Sequence, residues 1–599
     1  MLSTFFVTLL TILGLGGRAA FAAPSQSRRA TSDGPDGCSQ TVFKAALPSY
    51  ASISDVYFSG KLDSPQPNYR IVLNSIPPEL MSKICAVTVA VKLPDSTNTF
   101  NFEVWLPPLN KWNQRFLTVG NYAFDGGISR VDMAGRVIHG FAMMSTDTGH
   151  PEPNLLSPTK MDWALTKPNK ALGIDRQRDW SYRAMNHSVP LAKSLINAFY
   201  SSQKANHTIR TSFYSGCSTG GRQGLRQIQL AADSFDGLLI GAPAWDLKSM
   251  MPALSRIAEY NLPESKPADQ KLDDIYKFQI IADVVMDACD LIPGFDDAND
   301  TMISAPSKCA EHLAVNPAVW QRKLCRTGQN SSTCLTKPQI DIVMSMVKEI
   351  STGAGFLFDG FDISAASDLS TYLLKYPPWA FNAATGFDQE FAKYFLLQDD
   401  TASLATTRWG NNGERLVSLA SDWNNKIPAT ADQFQLSGQF KGKMIMYHGL
   451  ADGLIPSNSS TRYYRNTQQF YESDISSWFR YFRVPGMQHC FNSAAEMATT
   501  VAPWYFGGPG IAGAGNRTTT FVADARFNNS DHDALLALVD WVEQTRPVDK
   551  LIAAAFQPGS WDDKTFQVKR QRPICPHPQM PKWDGKPGTE NKLENWSCA

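Results

Sequence analysis

Gly216-Cys217-Ser218-Thr219-Gly220 stands between the β-prone run Ile209-Arg210-Thr211-Ser212-Phe213-Tyr214 and the glycine-rich helix start Gly220-Gly221-Arg222-Gln223-Gly224-Leu225. A strand, a tight turn carrying a serine and then a helix is the layout of a nucleophile elbow. Small residues on both sides of Ser218 let the chain turn sharply and leave its hydroxyl exposed, while the N–H of Thr219 stays free to bind a developing oxyanion. A five-residue pattern with three fixed positions also arises by chance, so the strand before it and the helix after it carry the reading.

Outward from the elbow the text alternates short β-rich runs with helical stretches, as an α/β sheet requires. Val87 to Val91, Phe100 to Trp105, Arg115 to Val119, Phe141 to Ser145 and Phe235 to Ile240 read as strands, and Tyr182 to Phe199 and Gly220 to Ala232 as helices. From Leu247 to Leu436 acidic clusters, four cysteines and several tryptophans replace that alternation. The pattern returns with the strands Met444-Ile445-Met446-Tyr447 and Trp478 to Val484 and the helical run Asp531 to Val542. The expectation is an α/β-hydrolase fold with a large inserted lid domain: a catalytic domain in two parts, 38–246 and 437–599, with the lid at 247–436.

Composition narrows the class further. The 56 basic side chains balance the 56 acidic ones in a chain of 599 residues, so nothing favours nucleic acid or an anionic membrane as partner. Leu2 to Gly16 is apolar and is followed by Arg18 and the A-x-A site Ala20-Phe21-Ala22-Ala23, so residues 1–23 read as a secretory signal peptide. No later segment reaches membrane-spanning length. Ten cysteines follow, an even count that points to disulfides in a secreted, extracellular chain. Sequons at Asn186, Asn206, Asn299, Asn330, Asn458, Asn516, Asn528 and Asn595 fit a glycosylated product.

A serine nucleophile needs a base, and the base needs a carboxylate to hold its tautomer, in the chain order Ser, Asp or Glu, His for this architecture. Beyond the elbow and outside the insertion the histidines are His448, His489, His532 and His577. His489 lies in the glycine-containing loop Val484-Pro485-Gly486-Met487-Gln488-His489-Cys490, just after a strand, and is the expected base. Asp452, in Tyr447-His448-Gly449-Leu450-Ala451-Asp452-Gly453, follows a hydrophobic strand and is the expected acid, although Asp-Gly also makes ordinary turns. His448 and His532 read as surface or packing residues. Cys217 precedes Ser218 and Cys490 follows His489, so bringing serine to histidine brings the two sulfurs together. Their bond would close a loop of about 270 residues, worth roughly 5 kcal/mol in the chain-entropy model.

Cys217-Ser218, Asp452 and His489-Cys490 together resemble the CS-D-HC arrangement of the tannase and feruloyl esterase family, secreted serine esterases of the α/β-hydrolase fold. The likeness runs from Cys38 to Cys598 and includes Trp112-Asn113-Gln114-Arg115-Phe116-Leu117, Ser145-Thr146-Asp147-Thr148-Gly149-His150, Tyr182-Arg183-Ala184 and Asp540-Trp541-Val542-Glu543. It implies Ser218 as nucleophile, His489 as general base and then acid, and Asp452 as its orienting partner. It also implies the pairings Cys38 with Cys85, Cys289 with Cys309, Cys325 with Cys334, and Cys575 with Cys598.

The same resemblance implies a structural Ca²⁺ in the lid and no cofactor for catalysis. Cys289-Asp290 is followed by Asp296-Asp297-Ala298-Asn299-Asp300-Thr301-Met302, where carboxylates alternate with main-chain carbonyls that suit a hard cation. By motif the ligands are the side chains of Asp290, Asp296 and Asp300 and the carbonyls of Ala298 and Met302; a solvated acidic turn is the plainer alternative. The oxyanion hole takes one N–H from Thr219 and a second from Gly120-Asn121-Tyr122-Ala123-Phe124, where Tyr122 and Ala123 replace the family's usual glycines. The implied substrate is a hydroxycinnamate ester such as a ferulate, of a small phenolic or plant cell-wall kind. The alternatives are a galloyl ester, as for a tannase, or a catalytically silent binding protein. Tyr376 and Trp379, in Tyr372 to Phe381, are candidates to stack on the phenolic ring.

Overall fold

The computed structural model describes residues 37–58, 83–150, 160–165, 169–261, 265–272, 275–290, 298, 300, 302–327, 329, 331–366, 386–407, 409–436, 440–490, 504–508, 526–557 and 567–599. The expected signal peptide, Asp296, Asp297, Tyr376 and Trp379 lie outside the described residues.

One nine-stranded sheet organises the chain. Its strands are β1 (Ala51–Phe58), β2 (Cys85–Val91), β3 (Phe100–Leu106), β4 (Arg115–Val119), β5 (Ala142–Thr146), β6 (Thr211–Cys217) and β7 (Gly237–Gly241). After the short hairpin β8 (Ile350–Thr352) and β9 (Gly355–Phe358), which stands apart, β10 (Lys443–Gly449) and β11 (Phe479–Val484) complete it. The order is β1-β2-β3-β5-β4-β6-β7-β10-β11. From β5 to β11 every pairing is parallel, whereas β1, β2 and β3 are antiparallel and β3 joins β5 antiparallel. This is the α/β sheet expected from the alternation, with β1 as a strand that the pattern did not reveal.

Alternating side chains feed two cores, one on each face of the sheet. On β10, Met444 and Met446 join one core while Ile445 and Tyr447 join the other. Because helices cover both faces, the central strands read as unbroken apolar runs rather than alternating ones. Two motifs distant in sequence meet across the sheet. Arg115 of β4 donates from Nε to Glu543 Oε1 at 2.8 Å and from Nη2 to Oε2 at 2.7 Å, and Thr211 Oγ1 donates to the same carboxylate at 2.6 Å.

Among the described residues, 247–436 contributes no strand to the main sheet and is mostly helical, with the β8–β9 hairpin; its Leu254, Ile281, Val343 and Phe391 share a core with Phe124, Trp180 and Ile455 of the catalytic part. The C-terminal part adds a hairpin of β12 (Leu551–Phe556) with β13 (Val568–Ile574) and another of β14 (Pro581–Trp583) with β15 (Trp596–Cys598). No helix among the described residues is long and apolar enough to cross a membrane.

Candidate active site

Ser218 sits at the carboxyl end of β6, immediately before the helix Thr219–Leu230. Its backbone has φ +62° and ψ −123°, a region that a residue with a side chain enters at a cost of about 1–3 kcal/mol. Surrounding hydrogen bonds hold it there: Ser218 N donates to Gly241 O at 3.0 Å, and its carbonyl accepts from Arg222 N and Ala244 N, each at 3.0 Å. The neighbouring glycines are required by space. A Cβ on Gly216 would meet the carbonyl carbon of Gly220 at 2.7 Å, and one on Gly220 would meet Asn121 O at 2.9 Å.

The parallel strands then bring Asp452 and His489 to the same edge, where open α/β sheets place their ligands. Asp452 follows β10 and His489 follows β11. His489 Nδ1 lies 2.7 Å from Asp452 Oδ2, so Nε2 is the nitrogen available for proton transfer. Asp452 Oδ1 accepts from Leu454 N and Ile455 N, both at 2.8 Å. Burial alone would raise this carboxyl, but the imidazoles of His489 and His448 outweigh it and hold it well below the usual carboxylate range.

Of the two readings given for His448, surface or packing, the structure shows the buried one and adds a contact with Asp452. His448 is fully buried, with Nε2 2.9 Å from Asp452 Oδ2 and 3.0 Å from Ile455 O, and Nδ1 2.8 Å from Ser460 Oγ. Its nearness to Asp452 in sequence was visible, but only the turn that folds 449–455 back over β10 creates the contact. His532 is partly buried and bonded to Asn529 Oδ1 at 3.0 Å, away from this cluster.

All ten cysteines are bonded: Cys38–Cys85, Cys217–Cys490, Cys289–Cys309, Cys325–Cys334 and Cys575–Cys598. The second of these spans 273 residues with a Cα–Cα distance of 5.9 Å and is buried against Ala242. It fastens the residue before Ser218 to the residue after His489.

The loop after β4 approaches the elbow from the other side. Gly120 N is bonded to Ser215 O at 3.0 Å and Asn121 N to Gln223 Oε1 at 2.9 Å, which leaves the N–H groups of Tyr122, Ala123 and Phe124 as the candidates for the expected second oxyanion donor. Ala123 adopts φ +44°, the left-handed region that explains why glycine is usual there. Phe124 fixes the loop's far end: its carbonyl lies 3.0 Å from His150 Nε2, and its ring stacks on Trp180 with centroids 4.7 Å apart. Burial pushes His150 down to about 4, so the ring is neutral and Nε2–H donates. Phe391 and Phe395, from the inserted segment, complete this aromatic cluster. The sequence reading did not single out Phe124 or His150 for this role, although His150 stood in one of its motifs.

Of the candidate calcium ligands, Asp290, Ala298, Asp300 and Met302 are described and buried. Asp300 N donates to Asp290 Oδ1 at 3.4 Å, and Met302 N to Asp300 Oδ1 at 3.1 Å. Arg572 pairs with the Asp300 carboxylate, and Arg570 Nη1 donates to Asp300 O at 2.9 Å. Among the described residues no three acidic, histidine or cysteine side chains gather at one point. Met302 packs against Gly486, within the loop that carries His489: a Cβ on Gly486 would lie 2.6 Å from Met302 Cγ.

A parallel-centred sheet, a serine at a strained strand-to-helix turn and a histidine–aspartate pair on the next strands define an α/β-hydrolase. The model of the tannase and feruloyl esterase family matches residues 85–599, and the chain belongs to that family. It is a carboxylic ester hydrolase. "Probable feruloyl esterase B-1" of Aspergillus oryzae is 27% identical over 526 residues, covering 86% of this chain and 84% of that protein. The crystal structure of feruloyl esterase B from Aspergillus oryzae superposes with a TM-score of 0.72 at 24% identity, covering 94% of this chain and 99% of that one. Tannin acyl hydrolase from Aspergillus niger gives 0.66 at 19%, with 94% and 95% covered. At these identities the two structures speak for the fold.

Proposed function

We propose that this chain is a secreted serine esterase that releases hydroxycinnamic acids such as ferulate from plant-derived esters. The observation that carries the mechanism is the 2.7 Å contact of Asp452 Oδ2 with His489 Nδ1, beside a Ser218 that the Cys217–Cys490 bond ties to the same loop. Ser218 Oγ attacks the ester carbonyl and gives its proton to His489 Nε2. Asp452 stabilises the imidazolium that forms. The tetrahedral oxyanion takes hydrogen bonds from Thr219 N–H, which as the first residue of its helix has no partner within that helix, and from the Tyr122–Phe124 segment. Collapse expels the alcohol, protonated by His489, and water then hydrolyses the acyl-enzyme by the same steps in reverse roles.

Five disulfides support secretion, because such bonds persist in oxidising compartments. Asn206 and Asn528 are exposed and are the best-placed of the described sequons to carry glycans. The feruloyl preference is supported by the names of the relatives. We also read the Asp290–Met302 loop as a structural Ca²⁺ site. Its donor set is carboxylate and main-chain oxygen, which fits that ion, and with Asp296 it would hold Ca²⁺ through Asp290, Asp300, Ala298 and Met302. The ion would neutralise the buried carboxylates and take no part in ester chemistry.

The test is kcat/KM on methyl ferulate, methyl caffeate, methyl p-coumarate and methyl gallate. A hydroxycinnamate preference is expected; a gallate preference would transfer the chain to the tannase reading with the mechanism unchanged. Ser218→Ala should lower kcat by about 10⁶-fold if the three residues act as a unit, and a variant that keeps its activity would remove the serine mechanism.

A further inference from the structure

Asp452 is bonded at every position a carboxylate offers. An ionised carboxylate has about four lone-pair sites. Oδ1 receives Leu454 N–H and Ile455 N–H; Oδ2 receives His489 Nδ1 at 2.7 Å and His448 Nε2 at 2.9 Å. Three of these donors belong to the turn or to the reacting base, and the fourth is a second histidine that the triad chemistry does not use.

The tautomer of His448 follows from its neighbours. Nε2 faces two acceptors, Asp452 Oδ2 and the Ile455 carbonyl at 3.0 Å, so Nε2 carries a proton. Nδ1 meets the Ser460 hydroxyl at 2.8 Å, and that hydroxyl donates to it in the neutral ring. Ser460 lies on the helix Ser457–Tyr471, so a packed helix sets the ring's rotation from the side opposite the reaction. Two further charged groups face this cluster. Asp362, on the inserted segment, is bonded to Ser457 Oγ and feels both His448 and Asp452, and Arg483 of β11 feels Asp362. They are of opposite sign, so His448 and His489 remain the side chains that hydrogen-bond Asp452 directly.

We propose that His448 is a positioning residue for ester hydrolysis: its Nε2–H supplies the fourth hydrogen bond to Asp452, which fixes the carboxylate's rotation and weakens Oδ2 as a proton acceptor. This deepens the serine mechanism above and rests on it. Because Oδ2 is shared with a second donor, it is a weaker acceptor for the Nδ1 proton of His489, so the imidazolium keeps that proton and the one lifted from Ser218 stays on Nε2, ready for the leaving alcohol. Without His448 one site on Oδ2 opens, the carboxylate gains freedom to turn, and its uncompensated charge holds a proton on His489 more tightly. A ring that merely filled space would be replaceable by an apolar side chain of similar size. A donor is replaceable only by another donor, and the glutamine amide nitrogen reaches nearly the position of histidine Nε2.

The experiment compares wild type, Ser218→Ala, His448→Leu, His448→Gln and Ser460→Ala on the best methyl ester of the panel above, with kcat, KM and the pH profile of kcat/KM. Loss of a hydrogen bond to a charged group predicts that His448→Leu lowers kcat by about 10- to 100-fold, moves the acid limb of the profile to higher pH and leaves KM within about twofold. His448→Gln should regain most of kcat. Ser460→Ala, which touches only the far nitrogen, should lose about threefold in the same direction. Wild-type kcat and acid limb in His448→Leu would overturn the proposal, and so would equal losses in the leucine and glutamine variants with an unmoved limb. If the leucine variant does not fold by circular dichroism, Ser460→Ala decides: a wild-type profile there overturns the proposal. Activity surviving in Ser218→Ala would instead sink the serine mechanism itself, whatever His448 does.

Discussion

Asp452 is a buried carboxylate whose ionised form the site stabilises: burial opposes the charge, and two imidazoles with two main-chain N–H groups outweigh it. Its folded-state pKa is depressed, so the stability it contributes is fully present above the unfolded value of about 3.9 and is lost as pH falls through the folded one. Asp452→Asn should therefore unfold at lower temperature than wild type at neutral pH, with the gap shrinking below about pH 4, as Tm against pH would record. The same change should cost on the order of 10⁴ in kcat, because an amide nitrogen facing Nδ1 favours the wrong tautomer. The placement of Ser218, Asp452 and His489 beyond the ends of β6, β10 and β11 was legible because each follows an apolar strand, which sequence shows. His448 was not, because its role depends on a ring rotation set by Ser460 and on a turn that no periodicity reports. The left-handed φ of Ala123 was equally invisible, although the replacement of a usual glycine marked the place.

Strands were the more legible elements over most of the sheet. β4 matches its sequence reading residue for residue, and β6, β7, β10 and β11 lie within a few residues of theirs. β1, at one edge of the sheet, and the C-terminal hairpins escaped. Leu551-Ile552-Ala553-Ala554-Ala555-Phe556 has a helix-favouring composition, yet it forms β12 because pairing with β13 decides it. The elbow and the base loop act as one element through Cys217–Cys490, the bond that the adjacency of the cysteines to Ser218 and His489 first suggested. Removing it in Cys217→Ser/Cys490→Ser should cost up to about 5 kcal/mol of stability in the chain-entropy model. Assayed at a temperature where the variant is still folded, kcat should fall while the far-UV spectrum holds, since the bond ties the residue before Ser218 to the residue after His489. An undiminished kcat in folded variant would show that the sheet alone sets that geometry.

At the scale of the molecule, the inserted segment is bound at several points to the elements that carry Ser218, Asp452 and His489. Arg222, on the nucleophile helix and fully buried, donates from Nη1 to Ser181 O at 2.8 Å and to Ala429 O at 3.1 Å. Ser364 Oγ donates to Leu450 O in the acid loop, and Arg462 joins Asp246 at 3.0 Å to Asp359 at 2.8 Å. The candidate calcium loop reaches the base loop through Met302 and Gly486. Chelation with EDTA should therefore lower Tm and, with it, activity, and Ca²⁺ should restore both; Asp290→Asn should have the lower Tm without chelator and respond little to it. A Tm indifferent to EDTA and Ca²⁺ in wild type would return this loop to an acidic turn held by Arg570 and Arg572. The insertion was legible as a break in the α/β alternation, but not its grip on the site, because that grip is made of carbonyls and buried arginines that composition does not distinguish. One covalent feature also governs what damage looks like. A protease that cuts the backbone once anywhere between Ser218 and His489 divides the chain, yet the two pieces stay joined by Cys217–Cys490. The nicked protein migrates as a single species on a non-reducing gel and as two after thiol, with nucleophile and base still on the same molecule.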